Sequence, residues 1–173
     1  MQFCDFENAK RNGVRNELCR LIEKKFIPRE SEDLVFIDEL EAFFDSSLFD
    51  KIYSAKRVIR EQRFNILLPP EILDNSPEFI EQTQGEFLAV QGVIDLILED
   101  ENGDILVFDY KTDRLTAVEK EDKSLLQKKM TDRHKKQLCY YREAICRLFG
   151  KEPKTLSIYS TYAAKVVEIP LEQ

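Results

Sequence analysis

Two aspartates and a lysine stand inside apolar runs where charge is ordinarily excluded: Asp95 in GVIDLILED, and Asp109 with Lys111 in ILVFDYKTD. Alternation along extended chain puts Val93, Asp95 and Ile97 on one face, with Ile94, Leu96 and Leu98 on the other. The second run repeats this, with Ile105, Val107, Asp109 and Lys111 opposite Leu106, Phe108 and Tyr110. Both faces of both strands therefore read as buried. An ionised carboxylate in such a place costs several kcal/mol unless something charged compensates it. Neighbouring aspartates also repel, and a divalent cation relieves that repulsion more completely than the single charge of Lys111. Hard oxygen ligands suit Mg²⁺ or Mn²⁺, which polarise a phosphoryl oxygen and acidify water. Lys111 is then placed to orient that water or to neutralise charge building on a phosphate. The competing reading is an internal salt bridge between Lys111 and one aspartate, since ion-pair networks also bury charge without catalysing anything.

Whether the two carboxylates meet depends on the turn in EDENGD. A two-residue loop, Asn102-Gly103, sets Asp95 opposite Tyr110 and sends the carboxylates to opposite faces. A three-residue loop, Glu101-Asn102-Gly103, with a type I turn and a left-handed glycine, pairs residue 100 with 104 and Asp95 with Asp109. Glycine at the third position favours the longer loop.

The elements that must hold this hairpin can be read on either side of it. A helix is expected over Asn8 to Lys25, with Val14, Leu18, Leu21 and Ile22 on one face. A second helical stretch covers Ile37 to Ala55, interrupted near Asp45, where Ser46 or Ser47 can cap the continuation. Val58 to Leu68 reads as a strand ended by Pro69-Pro70, and a loop or short turn through Asp74 to Thr83 leads to the hairpin. A long helix, Lys123 to Phe149, stops at Gly150 with Leu138, Tyr141, Ile145 and Leu148 on one stripe, and strands over Thr155–Tyr162 and Lys165–Ile169 close the chain. The order implies one α/β domain, mainly helical over residues 1–57 and a sheet core with its long helix over 58–173.

Composition narrows the partners. No apolar run is long enough for a membrane span and the first residues lack a signal-peptide core, so a soluble, cytoplasmic protein is expected. Cys4, Cys19, Cys139 and Cys146 are too scattered for a disulfide framework or an iron-sulfur cluster. The five glycines do not form a phosphate loop, so no ATP site is expected in this chain, and any motor lies elsewhere. A net charge of −7 is unusual for a protein that grips nucleic acid by phosphate attraction alone.

Taken in order, Gly92 to Asp113 resembles the core of the PD-(D/E)XK nucleases of the RecB type, which close the AddA and RecB helicase-nucleases. In them a Gly-x-Ile/Val-Asp strand is followed by Asp-Tyr-Lys-Ser/Thr and, on a later helix, Gln-x-x-x-Tyr, here Gln137 and Tyr141 at i, i+4. The resemblance implies a restriction-endonuclease-like fold, a central mixed sheet whose hairpin carries the site, flanked by helices. It also implies Asp95, Asp109 and the Tyr110 backbone carbonyl as metal ligands, with Lys111, Gln137 and Tyr141 as catalytic residues. Arg60, Glu61 and Phe64 match the segment upstream of the family core, which places Glu61 near the site. The family's first-helix Gly-x-x-x-His reads Gly13 to Glu17 here, so Glu17 becomes a candidate oxygen ligand or a solvated helix residue. His134 and the cluster Lys128, Lys129, Arg133, Lys135 and Lys136 share the helix of Gln137, either as a solvated face or as contacts to DNA phosphates. The implied activity is Mg²⁺- or Mn²⁺-dependent digestion of DNA ends, exonuclease more than endonuclease, with a helicase domain and a partner subunit. Alternatives are a stand-alone nuclease of a mobile-element or CRISPR-type system, or an inactive DNA-guiding scaffold of the same fold.

Overall fold

A computed structural model describes residues 2–170. Its sheet has five strands in the spatial order β1 (Arg57–Leu68), β2 (Leu88–Glu99), β3 (Ile105–Lys111), β4 (Thr155–Ser160) and β5 (Lys165–Glu168). The pairs β1·β2, β2·β3 and β4·β5 are antiparallel, and β3·β4 is parallel. Eight helices flank the sheet among the described residues: α1 (Phe6–Asn12), α2 (Val14–Glu23), α3 (Ile37–Phe44), α4 (Ser47–Ser54), α5 (Pro70–Leu73), α6 (Pro77–Thr83), α7 (Ala117–Glu121) and α8 (Lys123–Phe149). A parallel step needs a crossover, and α8 provides it between β3 and β4.

The expected first helix is two helices, because Gly13 has φ 92° and ψ 152°, a backbone that no helix contains. The second stretch breaks at Asp45, and Ser46 caps α4 by accepting from Phe49 N–H at 3.3 Å. A 3-10 turn over Arg29–Leu34 and the short α7, begun by a Thr116–Glu119 capping box, lack the apolar periodicity that would announce them. α8 ends where expected, at left-handed Gly150, but Leu148 is exposed, and Leu126, Met130, Leu138, Tyr141, Ala144 and Ile145 form its buried stripe.

Two apolar cores lean on opposite faces of the sheet. α8 covers one, built with Ile97, Ile105, Val107, Leu156 and Ile158. On the other face Leu96, Leu98, Leu106, Phe108 and Tyr159 meet Ala9, Val14, Phe43, Phe44, Leu48, Phe49 and Ile52 from α1 to α4. Covering both faces keeps the middle strands largely apolar and leaves Asp109 1% exposed between them.

The alternation expected through β2 fails at Asp95. Leu96 and Leu98 face the N-terminal helices, yet Ile94, an even step away, packs in the core under α8, and Val93 is turned outward. β1 changes face in step: the Arg60 guanidinium lies 4.7 Å over the Phe6 ring, whereas Phe64 packs in the α8 core. Both faces change where Glu61 has φ 57°.

Candidate active site

The hairpin turn sets the site. Gly103 N–H donates to Asp100 O at 2.9 Å, Gly103 has φ 80°, and Asp100 Oδ1 accepts from Asn102 N and Asp104 N, both at 2.9 Å. This is the three-residue loop, and the β2·β3 register runs Glu99↔Ile105 to Leu96↔Phe108. One step further the same register brings Asp95 opposite Asp109, and there the ladder ends. Past that point the strands form a fork held by side chains. Asp95 Oδ2 accepts the Tyr110 N–H at 2.9 Å, and the Tyr141 hydroxyl donates to the Val93 carbonyl at 2.7 Å.

Inside the fork the register sets the Asp95 and Asp109 carboxyls opposite one another, close enough for the charge of each to bear on the other. Burial pushes the Asp95 pKa up to about 6, the charges of Asp109 and Glu61 push the same way, and the Tyr110 N–H opposes them. Lys111 Nζ forms an ion pair with Asp109 Oδ2. That oxygen accepts no well-directed hydrogen bond, so one ammonium offsets two carboxylates by proximity and leaves excess negative charge in a buried place. An oxygen donor set with more carboxylate than ammonium charge fits a hard divalent cation. Among the described residues no three His, Cys, Asp or Glu side chains are gathered closely enough to hold a metal.

Behind Asp109 stands a relay from α8. Gln137 Nε2 donates to the Tyr141 hydroxyl at 2.7 Å, whose one proton is shared between the Val93 carbonyl and Asp109 Oδ1 at 3.2 Å. Burial first, then the charges of Asp109 and Asp95, hold the Tyr141 phenol far above its ordinary pKa, so it stays a neutral donor. The Phe64 ring meets the Tyr141 ring edge-on at 5.9 Å. It fits only because residue 92 is glycine: a Cβ there would stand 2.7 Å from Phe64 Cζ. The sequence pattern assigns no role to this pair, although a glycine inside a strand signals a close approach.

Other candidates are placed elsewhere. Glu17 is 2% exposed, and its carboxylate accepts from Asp5 N at 2.7 Å, Asn8 Nδ2 at 2.6 Å and the Arg20 guanidinium at 2.7 Å. The Arg20 bonds above all hold its pKa down to about 2, against burial, with the Asp5 and Asn8 bonds adding to the fall. Those bonds tie α2 to α1 and would have to break for Glu17 to bind a metal. Arg133 and His134 both hold Asp113, at 2.6 and 2.9 Å, and Lys129 holds Glu119 at 2.8 Å. Of the basic set, Lys128, Arg133 and Lys136 are exposed, Arg133 with its guanidinium held by Asp113. Glu61 falls opposite Asp95 in the β1·β2 register. The Tyr110 ring packs edge-on against Phe43 and Tyr159, in the core rather than toward a ligand.

A fold of helices on a mixed sheet, with an Asp…Asp-x-Lys hairpin at its centre, is that of the PD-(D/E)XK nuclease superfamily, whose sequence pattern this chain matches over residues 7–170; the chain belongs to that superfamily. Its named relatives include the A subunit of the ATP-dependent helicase/nuclease of Thermoanaerobacter sp. (strain X514), 31% identical over 157 residues, which are 90% of this chain and 12% of that protein. The protein of the same name from Clostridium novyi (strain NT) is 32% identical over 157 residues, with the same coverage. That of Clostridium perfringens (strain ATCC 13124) is 28% identical over 179 residues, 99% of this chain and 13% of the relative. The chain thus spans about an eighth of the length of the relatives it matches.

Proposed function

We propose that this chain is a divalent-metal-dependent deoxyribonuclease acting at DNA ends, exonuclease rather than endonuclease, and that residues 1–173 are the nuclease module of a helicase-nuclease in double-strand-break repair and recombination. The observation that carries the reading is the placement of Asp95 opposite the buried Asp109 across the hairpin, two carboxylates with Lys111 as the one ammonium paired to them. Asp95, Asp109 and the Tyr110 carbonyl would hold Mg²⁺ or Mn²⁺. A bound ion supplies Lewis-acid polarisation of the scissile phosphate and acidifies water beside it. Lys111, fixed on Asp109, neutralises charge developing on the phosphate. Tyr141 and Gln137 keep Asp109 aimed, and we leave Glu17 outside the ligand set because its oxygens are engaged by Arg20, Asp5 and Asn8.

Lys128 and Lys136 are the exposed phosphate contacts in this reading. Lys129, Arg133 and His134 contribute by fixing the 112–122 segment and α7 to α8. The negative net charge is consistent with DNA being delivered by a motor, as the helicase/nuclease names of the relatives suggest, along with a partner subunit. No helix among the described residues is long and apolar enough to cross a membrane, and we place the protein in the cytoplasm with the chromosome. The test is digestion of linear and covalently closed circular DNA at low salt with Mg²⁺, Mn²⁺ or chelator. Metal-dependent loss of the linear form alone is expected. Equal cutting of circles would refute the preference for ends, and digestion in chelator would refute the metal.

A further inference from the structure

Four non-glycine residues among those described have a left-handed backbone. Lys25 follows α2, Gln84 caps α6 and Ala164 turns between β4 and β5, all places where the chain reverses or stops. Glu61 is different: it lies inside the 12-residue β1, at φ 57°. A side chain resists that conformation, and such residues persist where the surrounding structure over-determines them.

The register shows what the conformation does. Arg60 pairs with Leu96 and Gln62 with Ile94, so no residue is inserted on either strand, and only the Glu61–Asp95 pair is missing from the ladder. This is not a bulge; both strands turn over together. Before the pivot, Arg60 points to the N-terminal helices, donating to Cys4 O at 2.7 Å over the Phe6 ring, and Leu96 lies in their core. Beyond it, Phe64 and Ile94 lie under α8. With unbroken alternation Phe64 would share the side of Arg60, and Tyr141 would lose the ring it leans on. Asp95 sits at the pivot of β2, free of ladder pairing to both neighbours, with its carboxylate turned to Tyr110 N–H and its position opposite Asp109 in the register.

We infer that the left-handed backbone of Glu61 aims Asp95 at Asp109 and brings Phe64 beneath Tyr141, so that Glu61 is a positioning residue acting through its main chain. The inference rests on the nuclease reading of the site for its consequence, not for its geometry. Four variants separate backbone from carboxylate: Glu61→Gly, which adopts positive φ freely, Glu61→Asn, which adopts it readily, Glu61→Gln, which removes only the charge, and Glu61→Val, whose branched side chain opposes it. Single-turnover cleavage should leave Gly, Asn and Gln within a few-fold of one another. Val should be slower by about tenfold or more, in kcat rather than KM. Equal loss in all four would assign the effect to the carboxylate and overturn the inference, as would a Val variant that matches Gly.

A measurement independent of activity accompanies it: the nuclear Overhauser effect between the Phe64 and Tyr141 rings, expected in the Gly variant and absent from Val. If the unaltered chain cuts no DNA, the nuclease reading fails, and this ring proximity alone decides the matter, its persistence in Val overturning the inference. Should Val not fold, urea melts of Gly and Gln decide. Glycine ordinarily weakens a strand, so a Gly variant at least as stable as Gln supports relief of a left-handed penalty, and a less stable one overturns it.

Discussion

Adding one methyl group at Gly92 should disable the site from behind. The new Cβ would lie 2.7 and 2.9 Å from Phe64 Cζ and Cε1, whereas carbon atoms pack at about 3.5–4.0 Å, so the ring must retreat by about 0.8 Å. Phe64 is buried and packs at right angles to the Tyr141 ring, so displacing it disturbs the residue whose hydroxyl holds Asp109. That bond is already 3.2 Å long, and a shift of this size breaks it. Overpacking predicts a loss of about 1–3 kcal/mol in stability, and misplacement on this scale about ten- to a hundredfold in cleavage rate. Urea melts followed by circular dichroism, with single-turnover digestion of end-labelled DNA, measure both. Phe64→Leu in the Gly92→Ala background should recover part of each loss, giving a coupling of about 1 kcal/mol. A Gly92→Ala protein as stable and as fast as the parent, or strictly additive double-variant losses, would refute the packing chain from Gly92 to Asp109.

Four further outcomes follow from the charges. In chelator, Asp95 keeps its proton up to about pH 6 in the fold against an ordinary 3.8, so the folded chain binds more protons between these values; stability should fall as pH rises from about 4 to about 6, and Asp95→Asn should flatten that slope in urea melts. Glu17 is shifted the other way, to about 2 against 4.5, so its contribution is present above about pH 4.5 and lost as pH falls through 2; Arg20→Ala should lower the melting temperature at pH 7, and a null result would show that Glu17 does not depend on it. Lys128→Ala with Lys136→Ala should lower the salt slope of DNA binding by about one for each phosphate no longer neutralised, with the melting temperature unmoved. Arg133→Ala should lower the melting temperature instead, by freeing Asp113, and the reverse pattern would exchange their roles.

The hairpin was legible because its determinants are local. Loop length, a glycine at the left-handed position and period-two alternation set which residues face one another, and Asp95 came opposite Asp109 through the three-residue loop. Family membership was legible for a similar reason, since Asp95, Asp109-Tyr110-Lys111 and Gln137 with Tyr141 form a pattern fixed by spacing. What alternation cannot express is its own failure: Glu61 and Asp95 turn two strands over without changing their register, and no composition signal marks a glutamate with positive φ. Nor does periodicity reveal side-chain partners. Arg133 and His134 read as a basic surface, yet they hold Asp113, twenty residues away along the chain from Arg133. Gly13 broke a helix whose apolar face ran on through it, since the pattern of Val14, Leu18 and Leu21 does not report the residue before it.

The most direct measurement of the claim that Asp95 and Asp109 form a metal-dependent DNA-cutting site is a paired one on the same preparation: Mn²⁺ titration by calorimetry, and Mn²⁺-dependent digestion of linear DNA. The unaltered chain should bind the ion and cut. Asp95→Asn and Asp109→Asn should lose both, and Lys111→Ala should bind the ion but not cut, because its charge acts on the phosphate rather than on the metal. Mn²⁺ binding and cleavage that persist in Asp109→Asn would contradict the claim.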